Sequence, residues 1–119
     1  MIKKLELSGV HLKIDSDLSK YASKKIGKLD KYMPRHARES AHAEVFLKEA
    51  TIKKKKECTC EVVLHLPHDT ITTKETTMNI YAAIDIVEAK LKNQLKKYKE
   101  KHSSLRIHRR VISKLRRAS

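Results

Sequence analysis

Ile84, Val87, Leu91, Leu95 and Tyr98 recur at steps of three and four within IYAAIDIVEAKLKNQLKKYKEKH, residues 80–102. That spacing puts all five on one side of an α-helix. An apolar stripe of this kind is stable only against another layer, so it demands a packed fold with this helix lying on something apolar. The second half of the helix carries six lysines within residues 90–101. At about 100° per residue they fall into two sets flanking the stripe. Lys90, Lys97 and Lys101 lie on one flank, Lys92, Lys96 and Lys99 on the other, with Ala89, Asn93 and Glu100 outermost between them. Lysine stems can cover the edges of a core while their heads stay hydrated. That accounts for one or two of them; two rails of one sign call for an anionic partner.

The layer beneath the helix is legible as strands. KLELS, residues 4–8, alternates with Leu5 and Leu7 on one face; Gly9 interrupts it, and Val10, Leu12 and Ile14 restart the alternation. AHAEVFLK, residues 41–48, puts Ala43, Val45 and Leu47 on one face and His42, Glu44 and Phe46 on the other. KEATIKKKKE is read as a loop with four consecutive lysines. CTCEVVLHL places Cys58, Cys60, Val62, Leu64 and Leu66 together, PHD turns the chain, and ITTKET is a more polar fourth strand. Phe46 and Val63 are expected on the open sheet face as a cross-strand pair.

Between the first two strands, Asp15 is placed to cap a helix predicted over residues 16–33, which Pro34 ends. Leu18, Tyr21, Ala22, Ile26, Leu29 and Met33 form its buried stripe, and Asn79 can cap the last helix. The order is β-α-β-β-β-α. The first two strands are expected to be parallel, the rest a meander. Because every strand has one apolar and one polar face, both helices should pack on the same side of a four-stranded mixed sheet. The first helix repeats the basic pattern: Lys20, Lys24, Lys28 and Lys31 recur on one flank, with Gly27 read as facing outward beside them. A partner's backbone approaching closely, or drift at an exposed site, would each explain a glycine there.

The chain has 119 residues, enough for one domain, and 28 Lys plus Arg against 14 Asp plus Glu, a net charge of +14. A field of that sign draws nucleic acid or an anionic membrane, solubility alone being the bland alternative. The apolar stripes are needed for the core, which argues against a membrane-surface role. Aromatics are scarce, with one Phe, four Tyr and no Trp, so stacking on single-stranded bases is disfavoured. Lysine neutralises phosphates without reading bases, so the pattern suits a shape reader of structured RNA. No glycine-rich phosphate loop and no catalytic carboxylate pair is visible, so no enzyme activity, cofactor or small-molecule substrate is expected. Cys58 and Cys60 are read as buried free thiols, with His65 on the opposite face and the histidines scattered, so no metal site is expected. MIKKLELSG offers no signal peptide and nothing later approaches a membrane span, which places the chain in the cytoplasm with its thiols reduced. The tail HSSLRIHRRVISKLRRAS, residues 102–119, holds six basic residues and no acidic one; it is read as flexible or as a helix extension.

The block IYAAIDIVEAKLKNQLKKYK resembles the signature of the bacterial ribosome hibernation promoting factor family, which includes the ribosome-associated inhibitor and the sigma-54 modulation proteins. Tyr81 to Asp85, Lys90, Leu91, Gln94, Leu95, Lys97 and Lys99 match its pattern. LHLPHDTITTKET resembles the hairpin upstream, and GVHLKIDSDLSKYASKKIGKLDKY the first strand end and helix. The similarity covers residues 1–101, taken as a ribosome-binding domain. The resemblance implies an α+β fold like that of double-stranded-RNA-binding domains. It implies binding to the small ribosomal subunit, to its RNA and neighbouring ribosomal proteins, in the decoding region. Messenger and transfer RNA would be blocked there during starvation or stationary phase, with the free protein monomeric. By position it carries RNA contacts onto Lys25, Lys28, Lys90, Lys97 and Lys101; with the wheel reading, the candidate interface is Lys20, Lys24, Lys25, Lys28, Lys31, Lys90, Lys92, Lys96, Lys97, Lys99 and Lys101. The sequence departs from the family at Asn93, where an arginine is usual, at Asn79 and Ile80, and at His68 and Asp69, where the hairpin has glycines. No second domain follows, so a short form is expected. The competing reading is a general binder of structured RNA with no ribosomal site.

Overall fold

The computed structural model describes the backbone of residues 1–118 and the side chains of residues 1–100. Its elements are β1 (Lys4–Val10), α1 (Ser16–Gly27), a 3₁₀ turn (Lys28–Tyr32), α2 (Arg35–Arg38), β2 (His42–Ile52), β3 (Lys55–Leu66), β4 (Asp69–Thr77) and α3 (Ile80–Ala118). The expectations for Lys101 and for the tail, residues 102–119, lie outside the residues whose side chains are described.

Alternation along the strands builds one four-stranded sheet in the order β1-β2-β3-β4. β1 runs parallel to β2, while β2–β3 and β3–β4 are antiparallel. This is the α+β, mixed-sheet architecture expected. One sheet face is sealed: Ala43, Val45, Leu47, Cys58, Cys60, Val62 and Leu64 are all buried beneath Leu18, Ala22, Ile26, Ile84, Val87, Leu91 and Leu95 of the helices. The other face carries half-buried residues, among them His42, Glu44, Phe46, Glu61, Val63 and His65. Both thiols are buried and free, and burial pushes the Cys60 thiol up to about 12. Thr73, a buried polar side chain of β4, is satisfied by donating to Gln94 Oε1 at 3.1 Å.

Both predicted caps form. Asp15 Oδ1 accepts from Leu18 N–H at 2.7 Å, and Asn79 Oδ1 accepts from Tyr81 N–H at 2.9 Å. Each supplies a partner to a first-turn amide that has none within its helix.

The first helix is not continuous to residue 33. It ends at Gly27, where Ile2 N–H donates to the Gly27 carbonyl at 2.9 Å and takes the place of a helical donor. The chain then tightens to 3₁₀ geometry, which brings both Leu29 and Met33 fully into the core. Met33 is extended before Pro34, as the proline ring requires. A further single turn, α2, follows and buries Ala37. Gly27 itself is buried rather than outward, covered by the N-terminal residues: a Cβ there would stand 2.6 Å from Met1 Cε.

Three further expectations change. β1 runs unbroken through Gly9, and His11, at φ 54°, ends it; Val10, Leu12 and Ile14 do not form a second strand segment. Gly9 is needed because the returning chain puts Leu12 O only 2.4 Å from where a Cβ would sit. The four-lysine loop is a two-residue hairpin turn at Lys53 and Lys54, with φ of 51° and 65°, between strands that reach Ile52 and restart at Lys55. Two consecutive left-handed residues match the strand twist and close the hairpin tightly. Finally, Phe46 stands opposite Glu61 and Val63 opposite Glu44, so Phe46 and Val63 are diagonal neighbours and not a direct pair.

Candidate nucleic-acid interface

With their stripes pressed onto the sheet, α1 and α3 turn their lysines toward a groove between them. Lys24 and Lys25 of α1, Lys28 and Lys31 of the 3₁₀ turn and Lys92 of α3 line one cleft of about 400 Å³. Leu29 forms part of its wall and anchors the turn in the core. Five of the eleven predicted contact residues are thereby brought together, four from α1 and the 3₁₀ turn and one from the distant α3.

Tyr32 organises the basic end. The ammonium groups of Lys31, Lys92 and Lys96 lie 5.1, 5.2 and 5.9 Å from its ring centre. A ring face attracts cations and holds several of them near one another despite their repulsion. Desolvation pulls the Tyr32 phenol up, but hydrogen bonding and charge from Lys92 and Lys31 outweigh it and leave the pKa below its ordinary value. Among the described residues, none of Lys24, Lys28, Lys31, Lys92 and Lys96 is ion-paired with a carboxylate.

The opposite end of the cleft is compensated. Lys25 Nζ lies 3.6 Å from Asp85 Oδ1 and 3.9 Å from Glu88 Oε2, and 5.5 Å from the Tyr21 ring centre. Tyr21 donates to Asp85, and that hydrogen bond, with burial and the carboxylate charge, pushes its phenol up to about 12. Tyr81 packs edge-on against Tyr21 with ring centres 4.9 Å apart.

The second flank of α3 faces β4. Lys90 is ion-paired with Glu75. Lys97 borders a shallow recess with Asp69, Thr70, Thr72 and Tyr98. Tyr98 is itself buried and donates to the Pro67 carbonyl at 2.9 Å. Lys20 and Lys99 are exposed outside both recesses, and Asn93 stands on the outermost face of α3 as the wheel predicts. The two-flank reading of α3 therefore describes the fold correctly, but only the flank toward α1 meets a second set of lysines.

Tyr32 is the residue that sequence reasoning missed. Its signal was available: it follows Lys31 directly, in a segment whose other large residues are spent on the core.

The geometry offers an array of unpaired point charges over an aromatic floor. Such an array neutralises phosphate oxygens and has few groups able to read base edges. Among the described residues no helix is long and apolar enough to cross a membrane.

Comparison with known proteins agrees with this architecture. The family model described as Sigma 54 modulation protein / S30EA ribosomal protein matches residues 5–103. A ribosome hibernation promotion factor from Lactococcus lactis subsp. cremoris is 35% identical over 96 residues, 81% of this chain and 49% of that protein. One of the same name from Staphylococcus aureus is 31% identical over 96 residues, 81% of this chain and 48% of that protein. The chain thus spans about half the length of these curated relatives. Among solved structures, the N-terminal domain of Thermus thermophilus Protein Y superposes with a TM-score of 0.65 at 29% identity, covering 82% of this chain and 97% of that one. A ribosomal subunit interface protein from Coxiella burnetii shares the fold, with a TM-score of 0.64 at 24% identity over 81% of this chain and 97% of that one.

Proposed function

The chain belongs to the Sigma 54 modulation protein / S30EA ribosomal protein family, and from that premise we propose that it is a ribosome hibernation factor acting on the small subunit. The observation that carries this reading is the lysine cleft between α1, the 3₁₀ turn and α3, whose charges are left uncompensated at the Tyr32 end. Ribosomal RNA phosphates satisfy these ammonium groups. Lys24, Lys28, Lys31, Lys92 and Lys96 make the main contacts, and Lys20, Lys25, Lys90, Lys97, Lys99 and Lys101 extend the basic surface around them.

Inhibition follows from occupancy and needs no chemistry. A domain seated in the decoding region excludes messenger and transfer RNA sterically while stress or stationary phase lasts. Affinity is electrostatic in origin, so it falls linearly in the logarithm of salt concentration, with a slope of roughly −0.7 to −0.9 per neutralised phosphate.

The test is co-sedimentation with purified small ribosomal subunits at near-physiological salt in the presence of excess unrelated structured RNA. Binding that survives the competitor, together with reduced translation in a purified system, is the expected result. Binding abolished by the competitor identifies a general structured-RNA binder and overturns the hibernation reading.

A further inference from the structure

On the open face of the sheet, opposite the lysine cleft, the strand register assembles a set of potential metal donors. His42 and Glu44 are two apart on β2 and therefore share a face. His65 of β3 is the direct cross-strand partner of His42, and Glu6 of β1 is the partner of Glu44. One nitrogen from each histidine and one Glu44 oxygen all lie within 4.8 Å of one another. The imidazole rings are 5.4 Å apart at their centres and tilted by 33°. His65 Nε2 lies 2.7 Å from Glu44 Oε1.

The arrangement leaves one atom unexplained. His42 Nε2 is buried from solvent and has no hydrogen-bond partner. The nearest carboxylate oxygen, Glu6 Oε1, is 3.7 Å away, too far for a hydrogen bond. Buried polar atoms are normally satisfied, and an orphan among three other ligand-type side chains points to a missing partner. Glu44 holds His65 and does not reach His42 Nε2, which is left without a hydrogen-bond partner.

We propose that His42, Glu44 and His65 form a binding site for a divalent transition-metal ion of the zinc class, with Glu6 positioned beside it for a fourth ligand. Two imidazoles and one carboxylate are the donor types that borderline ions such as zinc select, and three protein ligands leave one position for water or a carboxylate. Ligand atoms around a tetrahedral ion with bonds of about 2.0–2.1 Å stand roughly 3.3 Å apart. The His65–Glu44 pair, at 2.7 Å, must therefore open by roughly 0.6 Å and the most widely spaced donors close by at most roughly 1.5 Å, shifts that side-chain rotation on half-buried residues can supply. Lys4 stands opposite His42 in register and Thr70 opposite His65. Lys4 is exposed and opposes a cation, while Glu6 and Glu44 favour one. The buried thiols Cys58 and Cys60 project from the other sheet face and take no part. An ion here ties β2 to β3, and Glu6 extends the tie to β1. The site stands independently of ribosome binding.

The test uses the full chain, stripped with a chelator and titrated with zinc against a competing indicator, with histidine ring resonances followed by NMR. One saturable equivalent per chain is expected, with the ring signals of His42 and His65 shifted and those of His11, His36 and His68 unmoved. His42→Gln and His65→Gln should each weaken the affinity by about 100-fold or more, since even outer-sphere changes at metal sites cost 10–100-fold. If either variant fails to fold, the ring resonances of the unaltered protein still decide the matter. No saturable binding, unmoved His42 and His65 signals, or an ion held by other histidines overturns the proposal.

Discussion

Lys92 and Lys96 on one flank of α3 lean over Tyr32 with no ion-paired carboxylate among the described residues, whereas Lys90 on the other flank is held by Glu75 of β4. Each flank carries three lysines. They differ in what the neighbouring element presents. The 3₁₀ turn brings Lys28 and Lys31 toward α3, so charges of one sign accumulate; β4 brings Glu75, which pairs with Lys90, and Asp69, which borders the same recess as Lys97. A helical wheel gives the direction of a side chain, but the potential at its tip depends on the element packed beside it.

The largest effect is expected in the stripe that both flanks share. Leu91→Ala removes a fully buried side chain between them and should cost about 2–5 kcal/mol of unfolding free energy. A denaturant titration reads this directly, and a loss below ~1 kcal/mol would mean that α3 is not sealed onto the sheet.

Charge reversal separates the flanks. Lys28→Glu with Lys92→Glu should weaken small-subunit binding by about 100-fold or more, while Lys90→Glu with Lys97→Glu should cost about tenfold, a difference of roughly 1.4 kcal/mol. Equal losses in a sedimentation assay would erase the distinction drawn between the flanks.

Glu75→Gln sharpens it from the other side by releasing Lys90. The ion pair is exposed enough that stability should change by less than ~1 kcal/mol. Affinity for ribosomal RNA should rise about threefold, because a further ammonium group becomes available to phosphate. An unchanged affinity would show that Lys90 does not reach the RNA.

The smallest effect is spectroscopic and concerns the cleft's two ends. In an NMR titration of the tyrosine rings, Tyr32 should ionise below the ordinary phenol value and Tyr21 only at about 12. The signs follow from the neighbours: ammonium groups stabilise the phenolate of Tyr32, whereas Asp85 accepts the proton-bearing hydroxyl of Tyr21 and repels its phenolate. Lys92→Met should therefore raise the Tyr32 value, and Asp85→Asn should lower that of Tyr21. The two rings ionising together would remove the contrast between the two ends.

Much of this molecule could be read before its fold was known. The five-residue stripe of α3, the caps at Asp15 and Asn79, the alternation in β2 and β3 and the parallel pairing of the first two strands all follow from local chemistry, and all are found. The misreadings share a cause. The helix break at Gly27 depends on an amide from Ile2 and a side chain from Met1, which no window around residue 27 contains. The hairpin at Lys53 and Lys54 lacks the usual Asn-Gly signal, and the long register of β2 on β3 imposes left-handed geometry on two lysines. His42 and His65 looked scattered because they are 23 positions apart in the chain, and only the register makes them neighbours.

Periodicity and composition are enough to say which faces are buried and where the chain is positive, because burial follows the residue period and charge follows the residue types. The sequence also carries the YAAID-to-KYK block that marks the family. Tertiary structure alone decided which lysines gather and which are neutralised, and which histidines meet. Ion pairs, cation–ring contacts and hydrogen bonds form only at separations of a few ångströms in space, and packing α1 and the 3₁₀ turn beside α3, or β3 beside β2, sets those distances without regard to separation along the chain.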